Sequence, residues 1–266
     1  MQTILQIAIP ALAMSVALPA TAQERSTPFR GSASATGSYV TGNLSQAQLL
    51  ASLGLSRSTK KSGYDLLGSA FRMWIRPAAG EPFLRIGDTM SATALPFRYL
   101  GDKPFVLGTA RYEHSQLRGV TGRINAGAAM GIAPVRQETR LLRLALGAQL
   151  ERTQYTVSEL SPEWVEATNP RLVPRIAVQS NGWTRLPSSR LRARYVGALL
   201  VNPTQPTDLR WFLDVSTDLQ IAQQWSFRVS FSGLHDAVNP SGVLPTDLRT
   251  TAGVAWSTQA SRSKAD

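Results

Sequence analysis

The segment DLRWFLDVSTDLQIAQQWSFRVSFSGLHDAVNPSGVLPTDLRTTAGVAW, residues 208–256, decides the fold. Apolar and polar residues alternate within it, and a period of two sends successive side chains to opposite faces of a strand. Trp225, Phe227, Val229 and Phe231 make one bulky face, while Ser226, Arg228, Ser230 and Ser232 make a face that no apolar core would accept. Before it, Leu209, Trp211, Leu213 and Val215 stand against Arg210, Asp214 and Ser216; after it, Leu248, Val254 and Trp256 stand against Asp247, Arg249 and Thr251. Consecutive ribbons with one apolar and one wet side predict an antiparallel sheet.

The same pattern runs back toward the N-terminus. Ala33 to Tyr39 alternates and ends at Gly42-Asn43, a step suited to a tight hairpin, and Gln46 to Ser56 returns from it. Leu67, Phe71, Met73 and Ile75 mark a third strand with Arg72 among its inward positions. The fourth, Arg85 to Tyr99, is less regular, and Phe105 to Ser115 leads into a clean sixth in which Ile124, Ala126, Ala128, Met130 and Ile132 share a face. Leu142, Leu144, Leu146 and Leu150 oppose Arg143, Gln149 and Glu151 in the seventh. An acidic loop, SELSPEWVEATNP (158–170), separates it from an eighth segment, Arg171 to Arg185, that Pro174 and Gly182 interrupt, and Arg190 to Val201 supplies the ninth. The total is about twelve. Connections after even strands are tight and those after odd strands are mostly longer, as in outer-membrane barrels with short periplasmic turns. The predicted architecture is all-β, a single antiparallel transmembrane β-barrel.

Composition narrows the setting. Residues 1–22 carry an apolar run from Ile4 to Leu18 followed by Ala20-Thr21-Ala22, the small-x-small pattern of a cleaved export signal, although no Lys or Arg precedes the run. The barrel is then expected over 23–258, with a polar tail at 259–266. Absence of cysteine among the 266 residues removes disulfides, thiolate nucleophiles and Cys-based metal sites. No apolar run beyond the signal approaches a membrane helix, yet 43% of residues are apolar, as strands that interleave lipid-facing and lumen-facing positions require. The net charge of +11 would suit nucleic acid, but export and the lack of any nucleic-acid-binding signature argue against that partner. A periplasmic sandwich or lipocalin-like binder would need its bulky faces buried, which the paired aromatic and arginine faces oppose.

Several motifs resemble the salt-induced outer-membrane proteins of Gram-negative bacteria, a barrel family of undetermined function. They are GSYVTGNLSQAQL (37–49), ARYEHSQLRG (110–119) with GRINAGAAMG (122–131), LALGAQLERTQY (144–155) and the closing stretch 218–256. The resemblance implies an outer-membrane barrel, structural or stress-related, whose partners are lipid, lipopolysaccharide and, during biogenesis, the barrel-assembly machinery. It departs in the closing assembly signal: Thr251, Gly253 and Trp256 fit, but Thr258 stands where an aromatic is usual.

The outer loops sum to negative charge, so the positive surplus must lie on strands. Alternation puts Arg72, Arg143, Arg192, Arg194, Arg210, Arg228 and Arg249 on the wet, lumen-lining face, with Glu151, Asp214 and Asp218 as fewer inward acids. A lipid-facing charge would cost about 2–4 kcal/mol at the bilayer midplane. Such a lumen would either draw small anions through a narrow channel or be filled by arginines paired with the acids. Trp74, Trp211, Trp225 and Trp256 suit an interfacial girdle. An enzyme at the barrel rim is the competing class, and His235 with Asp236, using Ser232 or Ser241 as nucleophile, is its candidate set; His114 beside Glu113 is a weaker one. No G-x-S-x-G, H-E-x-x-H or other metal-binding pattern is present, and no cofactor or metal is expected.

Overall fold

The computed structural model describes residues 29–40, 45–78, 81–137, 139–155, 172–186, 190–238 and 244–258. The expected export signal, the Gly42-Asn43 turn, the acidic loop, Ser241 and the polar tail lie outside these residues. Twelve strands follow in order: β1 (Arg30–Val40), β2 (Ser45–Ser58), β3 (Ser62–Arg76), β4 (Leu84–Tyr99), β5 (Pro104–Ser115), β6 (Val120–Arg136), β7 (Arg140–Tyr155), β8 (Leu172–Arg185), β9 (Leu191–Val201), β10 (Leu209–Gln220), β11 (Trp225–Asp236) and β12 (Thr246–Ser257). Each pairs antiparallel with its chain neighbours, and β1 pairs with β12 to close the barrel. Closure leaves no strand edge unpaired.

Strands meet through connections of three to five residues at one end, from 59–61 to 186–190, which also holds the start of β1 and the end of β12. Longer connections, including 77–83, 202–208 and 237–245, occupy the other end. We call these the turn end and the loop end. The eighth strand persists through Pro174 and Gly182. Proline lacks an N–H, and Pro174 sits near the strand's start, where such a residue is tolerated. At the closing seam Thr36 and Thr251 hydroxyls lie 2.8 Å apart. A Cβ on Gly253 there would fall 2.3 Å from the Ala35 carbonyl oxygen, so only glycine lets β12 reach β1 at this register.

The outer wall is apolar. Ile124, Met130, Leu146, Leu150, Leu172 and Phe227 are exposed on it, although water would disfavour so continuous a surface. Trp225 and Trp256 face each other across β11 and β12 at the turn end, and Trp211 stacks on His235 at the loop end with ring centroids 6.0 Å apart. The inner face is less uniformly wet than alternation predicts. Leu95, Phe97, Tyr99, Phe105 and Leu107 point inward and pack together with Ala129, Ala133 and Ala145 at the turn end. Ala94, Pro96 and Arg98 face outward there, so the bulk of β4 at this end lies inside the barrel.

Strand β3 corrects the expected orientation of Arg72. Phe71 is buried inward, so Arg72 projects outward, half exposed and ion-paired to Asp88 at 3.0 Å, with Arg85 on the same carboxylate. Leu66, Leu67, Phe71, Met73 and Trp74 spread bulk over both faces of β3. Its orientation follows from Asp65 and Ser69, whose polar groups find partners in the lumen: Asp65 pairs with Arg143, and Ser69 bonds Ser91.

Candidate functional site in the lumen

Four acids and four arginines interlock across the loop half of the lumen. Asp236, at the end of β11 and 1% exposed, accepts hydrogen bonds from Arg123 of β6 at 2.7 Å and Arg210 of β10 at 2.9 Å, with Arg118 at 3.6 Å. Arg210 also binds Glu151 of β7, which accepts from Arg175 of β8 at 3.0 Å. Arg175 reaches Asp208 at 3.0 Å, and Arg123 lies 3.7 Å from Glu113 of β5. Strands β6 and β11 are separated by four strands along one side of the wall, so the Arg123–Asp236 bond crosses the lumen.

Arg118 enters from a single 3-10 turn, Gln116–Arg118, that Gly119 ends with φ 62°, a left-handed conformation glycine adopts without strain. The turn folds the arginine into the barrel. Burial holds its guanidinium below the ordinary value, against the smaller opposing pull of Asp236 and Glu113. Isolated buried charges would be prohibitive, so mutual pairing is the condition on which so many sit inside.

Below this layer the lumen is also filled. Thr109 of β5 donates to Gln179 of β8 at 3.2 Å across the interior, and Arg111 lies over the Phe212 ring at 4.3 Å. A void of about 20 Å³ remains among Thr93, Arg111, Gln149 and Phe212, room for about one water.

The turn half differs. One side holds the apolar cluster, capped by Arg143, whose guanidinium lies 3.6 Å from the Phe97 ring centre and donates to the Tyr99 hydroxyl at 3.0 Å. Beside it opens a cavity of about 750 Å³. Arg228 grips Asp218 there through two bonds, at 2.6 and 2.9 Å, and donates to Ser34 at 3.0 Å. Eight arginines and two aspartates line this space.

Residues 33–257 match the family described as "Protein of unknown function, DUF481". The chain belongs to that family. No curated protein matches it. Among solved structures it is similar to the translocator domain of the autotransporter NalP from Neisseria meningitidis, at 12% identity and TM-score 0.43, covering 86% of each chain. It is also similar to the beta domain of the Bordetella autotransporter BrkA, at 11% identity and TM-score 0.35, covering 88% of this chain and 99% of that one.

In this DUF481 barrel the seven arginines singled out by alternation divide into five settings. Arg210 belongs to the loop-half cluster, and Arg143 and Arg228 are buried in the turn half. Arg192 and Arg194 line the cavity, Arg249 lies 4.0 Å over the inward Phe71 ring and pairs with Asp247, and Arg72 is on the outer wall. Alternation overlooked Arg123, Arg175 and Glu113, which stand on inward positions of recognisable strands and were legible by the same rule. Arg118 and Asp208 lie in connections and carried no periodic signal.

The His235–Asp236 pair does not form. As strand neighbours they face opposite sides, His235 outward beside Trp211 and Thr246, Asp236 inward among arginines. His114 likewise faces away from Glu113, its Nδ1 2.9 Å from the Thr121 carbonyl oxygen. Among the described residues no group of three or more His, Cys, Asp or Glu is arranged to hold a metal ion.

Proposed function

We propose that this chain spans the outer membrane as a closed-lumen barrel that does not conduct at rest and serves the membrane structurally, the stress-related role that its likeness to the salt-induced family implies. The observation that carries this reading is the cross-lumen contact of Asp236 with Arg118, Arg123 and Arg210. Ion pairs at these distances stand across the lumen, in the way of a hydrated ion, and support this reading. The apolar outer wall, with tryptophans near both ends, supports the membrane placement and contact with lipid and lipopolysaccharide. Export through a cleaved signal and insertion by the barrel-assembly machinery complete the proposal.

The test is conductance in planar bilayers, alongside heat-modifiable gel mobility in the outer-membrane fraction. Wild-type protein gives no steady current steps. The second reading, a narrow anion-preferring channel, is favoured by the arginine excess in the turn half. Steady anion-selective conductance would establish it and overturn the closed barrel. The rim hydrolase keeps no paired His and Asp among the described residues, and unchanged background hydrolysis in His235→Ala protein would retire it.

A further inference from the structure

The cavity at the turn end carries positive charge that the described residues do not neutralise. Its two aspartates are already engaged, Asp65 by Arg143 at 3.5 Å and Asp218 by Arg228 in a two-pronged contact. Arg192 and Arg194 are the next-but-one pair on the inward face of β9, about 7 Å apart at a strand rise of about 3.3 Å per residue. Among the described residues neither lies within ion-pair distance of a carboxylate, and each has a buried Nε without a hydrogen-bond partner. Arg192 packs 5.2 Å over the Trp183 ring, which holds its plane toward the cavity wall. Arg30 adds a third cation within electrostatic reach.

We propose that this cavity is a binding site for a small soluble phosphorylated solute, with Arg192 and Arg194 as its principal anchors. Guanidinium forks match tetrahedral oxyanions through paired N–H donors, which a spherical halide cannot exploit. Two such forks on next-but-one residues of one strand suit a ligand with more than one oxyanion or a single diphosphate between them. The volume of about 750 Å³ admits a molecule of that class and falls in the ordinary range of roughly 300–1,000 Å³ for small-molecule sites. Trp183 in the lining offers apolar surface to the rest of the ligand. The source is a soluble molecule entering from the turn end, because the cavity lies inside the barrel wall, away from the acyl chains that the outer wall would face. The site requires binding, not passage, and so goes beyond the closed-barrel reading without depending on it.

Isothermal titration of the purified, folded full-length barrel with inorganic pyrophosphate, at ionic strength matched by sodium chloride, tests the site. Wild type shows saturable one-site binding, and Arg192→Gln/Arg194→Gln weakens it at least about tenfold. Arg85→Gln, on the outer wall, binds as wild type. Heat-modifiable mobility verifies that the double variant is folded, and removal of two like charges favours that outcome. A second measurement needs no variant: pyrophosphate raises the unfolding temperature of wild type above that in chloride alone. Equal binding by the double variant, no saturation, or no stabilisation beyond chloride overturns the proposal. Competition by phosphatidylglycerol doped into the micelles would assign the site to lipid headgroups and overturn it equally.

Discussion

Replacing Asp236 with asparagine removes one negative charge from the centre of the loop-half cluster while keeping the side chain's size. The wild-type carboxylate holds three arginines at 2.7, 2.9 and 3.6 Å and is 1% exposed. Four cations would then face three acids: Glu113 with Arg123, Glu151 with Arg210 and Arg175, and Asp208 sharing Arg175. Removing one partner of a buried ion pair costs about 3–5 kcal/mol, because the remaining charge stays desolvated. Asparagine retains one acceptor oxygen, so the lower end, about 3 kcal/mol, is expected. With a urea slope of about 1–3 kcal/mol per molar, the unfolding midpoint in lipid vesicles falls by about 1–3 M. Tryptophan fluorescence reads the transition. The double variant Arg123→Gln/Asp236→Asn loses less than the sum of its single variants, since the first change removes a charge that the second strands. A midpoint lowered by under about 0.3 M in Asp236→Asn would refute the cluster as a load on stability.

Other expectations follow from the same geometry. Arg143→Gln strips the guanidinium from Asp65, Tyr99 and Phe97 and lowers stability by about 2–4 kcal/mol in the same urea assay, whereas Arg72→Gln on the outer wall leaves the midpoint unchanged. Gly131→Ala places a Cβ 2.2 Å from the Leu144 carbonyl oxygen and 2.8 Å from the Phe105 ring, which forces β6 from β7 and costs about 1–3 kcal/mol. Trp256→Ala removes an outward aromatic at the turn end, and gel-shift kinetics show slower insertion into vesicles; an unchanged rate would remove Trp256 from the assembly signal.

Alternation read the wall well where one face is polar. On β6 and β7 the inward glycines, glutamine and arginine leave no second apolar face, so side and register follow from period alone. Alternation fails on β3 and β4, where inward residues are apolar: Leu95 and Phe97 join the packed core of the turn half, and Phe71 lies beneath Arg249. Orientation there depends on what the opposite wall offers Asp65, which no local window contains. The cluster was legible only in part for the same reason. Glu151, Arg210 and Asp236 are visible as charges, but the bond joining Arg123 to Asp236 spans 113 positions of chain. Nothing near either residue announces it.

The cross-lumen cluster also ties the wall's completion to its interior. Arg123 and Arg175 belong to strands β6 and β8, made before the Asp208 and Asp236 segments that satisfy them. Until β10 and β11 take their places, Arg123 has only Glu113 and Arg175 only Glu151, and both face an unfinished interior with part of their pairing missing. A barrel short of its last strands therefore holds unmatched charge at its centre, and neutrality arrives together with closure. The intermediate forms carry more unmatched charge than the finished ring, so the charges that cross the lumen also favour completion of the wall.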